Sequence, residues 1–183
     1  MQHMKLRLIH TPDIILNTKT RKVTAFNSKL RTIIEEMKEI LLHCKDPEGV
    51  GLAAPQVGLA LQIFIMKSDT HEPVHTFINP VILKKTRVIH EAKKAKKDIL
   101  EGCLSVKNVW SGVNRYKAVT IRYQDVDGSV LTYEGRGFES HIIQHELDHL
   151  QGILFTQRAL EQNKTLYRII KKGKTEEFEP IEI

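Results

Sequence analysis

Two histidines four residues apart, His145 and His149, lie in the stretch Gln144-His145-Glu146-Leu147-Asp148-His149-Leu150. On an α-helix that spacing stacks both imidazoles on one face, one turn apart, where a single metal ion can join them. Glu146 follows the first histidine directly and lies beside such an ion. There its carboxylate can take a proton from a water that the ion activates. The same pattern also arises by chance in an amphipathic helix with two partly exposed histidines, so a third ligand is needed to decide. The helix is expected from apolar residues at Phe138, Ile142, Leu147 and Leu150, with Gly137 before the run and Gly152 as a C′ stop.

Two other stretches carry residues of chemical interest. Gly49-Val50-Gly51-Leu52-Ala53-Ala54-Pro55-Gln56-Val57-Gly58 is built of small residues that let the backbone approach something closely. It lacks the lysine and hydroxyl residue of a phosphate loop, and no helix follows directly, so by itself it reads as a turn before the strand-like residues 62–66. Within it, Gln56 offers an amide donor from a rigid, poorly solvated position. Glu101-Gly102-Cys103-Leu104-Ser105-Val106 places a cysteine after glycine in a strand-prone context. The second cysteine, Cys44, has no spaced partner and reads as inert.

The elements that must position these residues follow from the hydrophobic pattern. With 183 residues, 41% of them apolar, the chain is long enough for one good core, and a single domain over 1–183 is expected. A helix over Ser28–His43 is expected from Leu30, Ile33, Ile34, Met37, Ile40 and Leu41, with Asn27 or Ser28 as cap. Thr11 capping Pro12 starts a short helical turn at 13–16. Residues 74–83 read as a strand broken at Asn79-Pro80, 87–90 and 118–123 as strands, and Asp127-Gly128 as a hairpin turn into 129–134. A second, weaker helix is expected over 158–171, with residues 178–183 extended or disordered.

The net charge of +6 mixes 22 acidic with 28 basic residues, a mild excess that does not establish nucleic-acid binding. No apolar run is long enough to span a membrane, and the N-terminus opens no signal-peptide core. Two cysteines make no disulfide framework, which points to a reducing cytosol.

Together, Gly49 to Gln56, Glu101 to Ser105 and Gln144 to His149 resemble the three motifs of the peptide deformylases, in that family's order, over roughly residues 8–155. The resemblance implies an α+β fold in which antiparallel strands pack around a central metal-binding helix. It also implies a cytoplasmic, monomeric hydrolase that removes the formyl group from the N-terminal methionine of nascent peptides. Cys103 then becomes the third metal ligand beside His145 and His149. Ferrous iron is the physiological ion such a match suggests, with Zn²⁺, Ni²⁺ or Co²⁺ able to substitute. Glu146 receives the water's proton and passes it to the leaving amine, while Gln56 and the Leu104 backbone N–H hold the oxyanion. Gly51 and Val50 offer contacts to the peptide. Two readings of Asp148 stand, a support behind a ligand and a solvent-facing helix charge. The run Lys93-Lys94-Ala95-Lys96-Lys97 reads first as a solvated face, with ribosome contact the alternative.

The chain departs from the family pattern in places. Lys107 stands where many relatives have proline, Trp110 where arginine often holds substrate, and Asn114 where proline commonly precedes the arginine matched by Arg115. His141, one turn before His145, is an extra histidine read as packing or surface. These departures leave the metal chemistry intact and bear on substrate preference. They keep open a related hydrolase with another N-acyl substrate, and a catalytically weak relative that serves as a binding protein. An ordinary zinc peptidase is disfavoured, because Phe155 stands where a metzincin's third histidine would fall.

Overall fold

The computed structural model describes residues 5–45, 48–69, 72–87, 89–90, 100–172 and 175–182; the lysine run at 93–97 lies outside the described residues. A 3₁₀ turn at Ile14–Asn17 opens the chain. Its cap is Asp13 rather than the expected Thr11, because the Asp13 carboxylate reaches the Ile15 N–H at 3.0 Å. Helix α1 (Ser28–His43) starts as expected where the Asn27 side chain accepts from the Leu30 N–H, and it buries Leu30, Ile34, Met37 and Leu41 along one stripe.

Next come β1 (Gly51–Ala53), a 3₁₀ turn at Ala54–Val57, β2 (Ile63–Met66), β3 (His75–Lys85), β4 (Ile89–His90), β5 (Leu100–Cys103), β6 (Val106–Gly112), β7 (Arg115–Tyr116), β8 (Ala118–Gln124) and β9 (Val130–Arg136). Helices α2 (Phe138–Leu150) and α3 (Phe155–Glu161) follow, then β10 (Leu166–Lys172) and β11 (Thr175–Pro180). The glycine-rich stretch thus contains a strand as well as a turn. Strand β3 runs on through Asn79-Pro80 with a shift of register in place of a break. Asn79 takes φ 50° there and bonds both the N–H and the carbonyl of Val23. The β8–β9 connection is longer than a two-residue turn: Gln124 pairs with Val130, and the Asp125 carboxylate accepts from the Asp127 and Ser129 N–H groups.

Five strands form one antiparallel sheet in the order β1-β2-β3-β8-β9, and four form another in the order β11-β10-β6-β5. In β2 the alternation of the pleat separates two cores. Ile63 and Ile65 pack with the α1 stripe, while Phe64 and Met66 pack with Ile142, Ile143 and Leu150 of α2. Both faces are covered, which is why β2 reads as a continuous apolar run. A third core around Cys103, Val106, Val113, Phe155 and Ala159 ties the second sheet to α3. The result is an α+β fold with α2 at its centre.

Helix α2 has the expected bounds and buries Ile142 and Leu150 as expected, but the rest of its buried face differs. Phe138 is 58% exposed, Leu147 is only half-buried, and Ile143 is fully buried instead. Its polar side is also covered, burying Ser140, Gln144, Glu146, Asp148 and His149. Gly152, at φ +73°, ends it in a Schellman arrangement, with Ile153 N–H donating to Asp148 O and Gly152 N–H to His149 O.

The helix expected over 158–171 is corrected to the end of α3 followed by β10. Leu166 and Tyr167 pair with β6, and Tyr167 to Lys172 pair with β11, so cross-strand partners decide the conformation. Residues 178–180, expected extended or disordered, belong to β11. Among the described residues, no helix is long and apolar enough to cross a membrane.

Candidate metal centre

Two elements bring the donors together. Strand β5 ends at Cys103, and α2 presents His145 and His149 one turn apart. Candidate ligand atoms of these three residues all lie within 4.8 Å of one another. Cys103 Sγ is 3.3 Å from His149 Nε2. The roll of α2 about its axis is set by Gln144, whose amide accepts from the Tyr116 N–H and donates to the Tyr116 carbonyl, both at 3.0 Å.

The electrostatics fit a cation. Burial alone would lower the pKa of His145, but hydrogen bonds to Cys103 and Glu101 raise it well above the usual histidine value. A ring held between two such groups calls for positive charge, which a metal supplies in place of a proton. Burial, together with His145 and Arg115, depresses His149 and keeps its imidazole neutral, as a ligand must be. Glu101 Oε2 fixes the tautomer of His145 by accepting from Nδ1 at 2.9 Å, leaving Nε2 for the ion. A thiolate with two imidazoles is a donor set that suits zinc or iron and leaves a position for water.

Glu146 is 3% exposed, and its Oε2 has no hydrogen-bond partner among the described residues. Burial pushes its pKa up to about 7. Gln56 is 1% exposed. Its Oε1 is fixed by the Ala53 N–H at 2.8 Å, which turns Nε2 toward Cys103 Sγ at 3.5 Å.

A cavity of about 380 Å³ opens over these groups. Val50, Gly51, Gln56, Cys103, Leu104, Trp110, His145 and Glu146 line it, and His149 lies beneath. Eight of the nine residues singled out in the sequence therefore share one cavity wall, and the ninth touches Cys103. The Trp110 ring lies flat against Gly102, where an added Cβ would fall 2.7 Å from it.

Sequence reasoning gave no role to Glu101, the group that gathers the others behind the site. Glu101 is a buried hub, bonded to Arg115 Nε and Nη2 at 2.7 and 2.9 Å, to His145 and to His141. Burial works to raise its pKa, yet Arg115 and the two histidines hold it well below the usual carboxylate range. Arg115 continues to Asp148 at 2.6 Å, and Asp148 to Arg158 at 2.8 Å. Of the two readings of Asp148, the buried support is the one realised. His141 is not surface filler, since its Nε2 lies 2.5 Å from Glu101 Oε1. One signal was available for Glu101. It stands two residues before Cys103 in a strand, and both are buried.

The profile of the polypeptide deformylase family matches residues 5–165, a span that takes in the whole site. The chain belongs to the peptide deformylase family. A peptide deformylase of Borreliella burgdorferi is 36% identical over 87% of this chain and 90% of its own length. One from Bacillus cereus, peptide deformylase 1, is 37% identical over 84% and 92%. Among solved structures, the peptide deformylase of Thermotoga maritima superimposes with a TM-score of 0.75 at 34% identity, covering 85% of this chain and 98% of that one. A plant peptide deformylase gives 0.77 at 28% identity, covering 88% and 84%. The α+β architecture of this peptide deformylase family member is thus shared across bacterial and plant relatives.

Proposed function

We propose a division of labour for the reaction of this enzyme family, removal of the N-formyl group from nascent polypeptides. The observation that carries it is one juxtaposition. Glu146, whose Oε2 has no hydrogen-bond partner among the described residues, Gln56 and the donors Cys103 and His145 share one cavity, with His149 against Cys103. Cys103, His145 and His149 would hold a single divalent ion. Fe²⁺ is the physiological ion this reading expects, with Zn²⁺, Ni²⁺ or Co²⁺ able to substitute. Such an ion supplies Lewis-acid polarisation and lowers the pKa of a water.

The protein's own groups do the rest. Glu146 takes the water's proton on Oε2, holds it on a carboxyl that is nearly buried, and delivers it to the amine that leaves. Gln56 Nε2 and the Leu104 backbone N–H stabilise the oxyanion, a role worth roughly 3–4 kcal/mol per donor in acyl-transfer enzymes. Val50 and Gly51 lie along the cavity as backbone for an extended peptide, and Trp110 offers a face to the residues after methionine. We place the enzyme, as a monomer, in the cytoplasm where chains are being synthesised, with approach to the ribosome through basic surface.

A second reading, another N-acyl substrate, is favoured by one observation: the cavity wall carries Trp110, a bulky apolar group. Turnover of a formyl-Met peptide against acetyl-Met and unblocked peptides, with iron, nickel and zinc compared anaerobically, separates the two. Formyl-Met turnover far above the others is expected. Acetyl-Met turnover at or above it would overturn the first reading.

A further inference from the structure

We propose that His141 is a positioning residue, acting through Glu101 to hold His145 in the orientation that retains the metal; this rests on the ligand reading above. The Glu101 carboxylate has two oxygens and room for about four donors. All four places are taken. Oε1 receives Arg115 Nε at 2.7 Å and His141 Nε2 at 2.5 Å. Oε2 receives Arg115 Nη2 at 2.9 Å and His145 Nδ1 at 2.9 Å.

The arrangement fixes every proton involved. An ionised carboxylate only accepts, so His141 carries its hydrogen on Nε2 and His145 on Nδ1. Arg115 sets the plane of the carboxylate with one N–H to each oxygen and leaves both second lone pairs open. His141 fills the open site on Oε1, as His145 fills that on Oε2. With both filled, a tilt of the carboxylate along the Arg115 fork would pull one oxygen off its histidine. Without His141, Glu101 can tilt toward Arg115 and draw the acceptor away from His145. Both histidines stand on α2 one turn apart, so the helix holds the two donors at a constant separation. The Glu101 side chain is 6% exposed and no bulk water competes, whereas His141 at 18% still touches the cavity. A positioning role and a cavity-wall role therefore make different predictions.

The test compares His141→Gln, His141→Asn and His141→Leu. Glutamine places an amide N–H near the position of Nε2, asparagine is too short to reach Glu101, and leucine keeps bulk without a donor. Protein loaded with Ni²⁺ or Zn²⁺ is challenged with a chelator and the rate of metal release is followed. KM and kcat for a formyl-Met peptide are measured in parallel. Loss of a partner behind a metal-bound histidine costs 10–100-fold in affinity, so roughly tenfold faster release is expected in Asn and Leu, one bond further out. Glutamine should restore the wild-type rate. If the leucine variant does not fold, the Asn–Gln comparison decides alone. Release unchanged in Asn, or Gln as fast as Asn, overturns the inference, and a shift in KM with unchanged release makes His141 a cavity wall. A wild-type chain that retains no metal refutes the ligand reading itself, a result distinct from either of these.

Discussion

Gly51 and Glu146 are in direct contact across the cavity floor. A methyl group on Gly51 would overlap Glu146 Oε1 and lie 2.9 Å from its Cδ and from Ile142 Cγ2. Glycine is thus demanded at 51 by the carboxylate behind it, before any peptide is bound. Two of the obstructing atoms end the flexible Glu146 side chain and the third belongs to the branched core residue Ile142, so Gly51→Ala should lose some stability but keep its metal while Glu146 swings aside. Misplacing a reacting group by about 1 Å can cost up to about 10²-fold. A kcat reduced by that order with normal metal content is expected. Wild-type kcat would show that the rotamer of Glu146 does not matter.

Replacing the carboxylate itself separates binding from chemistry. Glu146→Gln is nearly isosteric and leaves Cys103, His145 and His149 untouched. Metal content should stay near wild type while kcat falls by about 10²–10⁴-fold, the range for general acid–base groups. Activity close to wild type would remove Glu146 from the mechanism.

Cys103→Ser should do the opposite. Sγ sits 3.3 Å from His149 Nε2, and serine offers a hard, weakly binding oxygen in its place. We expect most of the metal and nearly all turnover to be lost, measured as bound metal per chain after dialysis. Full metal retention with full turnover would contradict the assignment of Cys103 as a ligand.

What was legible in the sequence was local. Asn27 capping α1 and Gly152 ending α2 act within one helical turn, so their signals sit next to each other in the chain. The His145–His149 spacing is equally local. Residues 166–170 were not legible. Leu166, Ile169 and Ile170 satisfy helical spacing, and the strand wins because the distant β6 and the adjacent β11 supply ladders on its two sides. The Glu101 hub escaped for the same reason. Its partners lie 14 and 44 residues away, and neither glutamate nor arginine announces burial from composition.

That hub carries a stability prediction. Arg115 is 5% exposed and bridges Glu101 and Asp148, whose carboxylates outweigh burial and raise its pKa above the ordinary arginine value. Removing it as Arg115→Ala leaves two buried carboxylates short of a cation, a change that costs roughly 3–5 kcal/mol at buried pairs. For a chain of this length the Tm should fall by roughly 10 °C. Thermal unfolding of metal-free protein is the right measurement, because it excludes any contribution from lost metal. Asp148→Asn should cost less, since Arg115 keeps Glu101 and Arg158 keeps Glu161. An Arg115→Ala Tm equal to wild type would mean the network is held together without it.

Trp110 tests substrate preference. Its ring covers Gly102 and also lines the cavity, so packing against its own sheet and meeting substrate are compatible roles. Arginine is a planar multi-donor cation suited to a peptide carbonyl or carboxylate, whereas tryptophan brings apolar area and one N–H. We expect a raised KM for short formyl-Met peptides, with apolar or aromatic residues after methionine recovering part of the loss. Trp110→Arg should lower KM for the short peptides and leave kcat nearly unchanged, because contacts made equally in ground and transition states move KM alone. A peptide series with unchanged kinetics in Trp110→Arg would confine the residue to packing. A fall in kcat alone would show that the ring on Gly102 holds β5, and with it Cys103, in place.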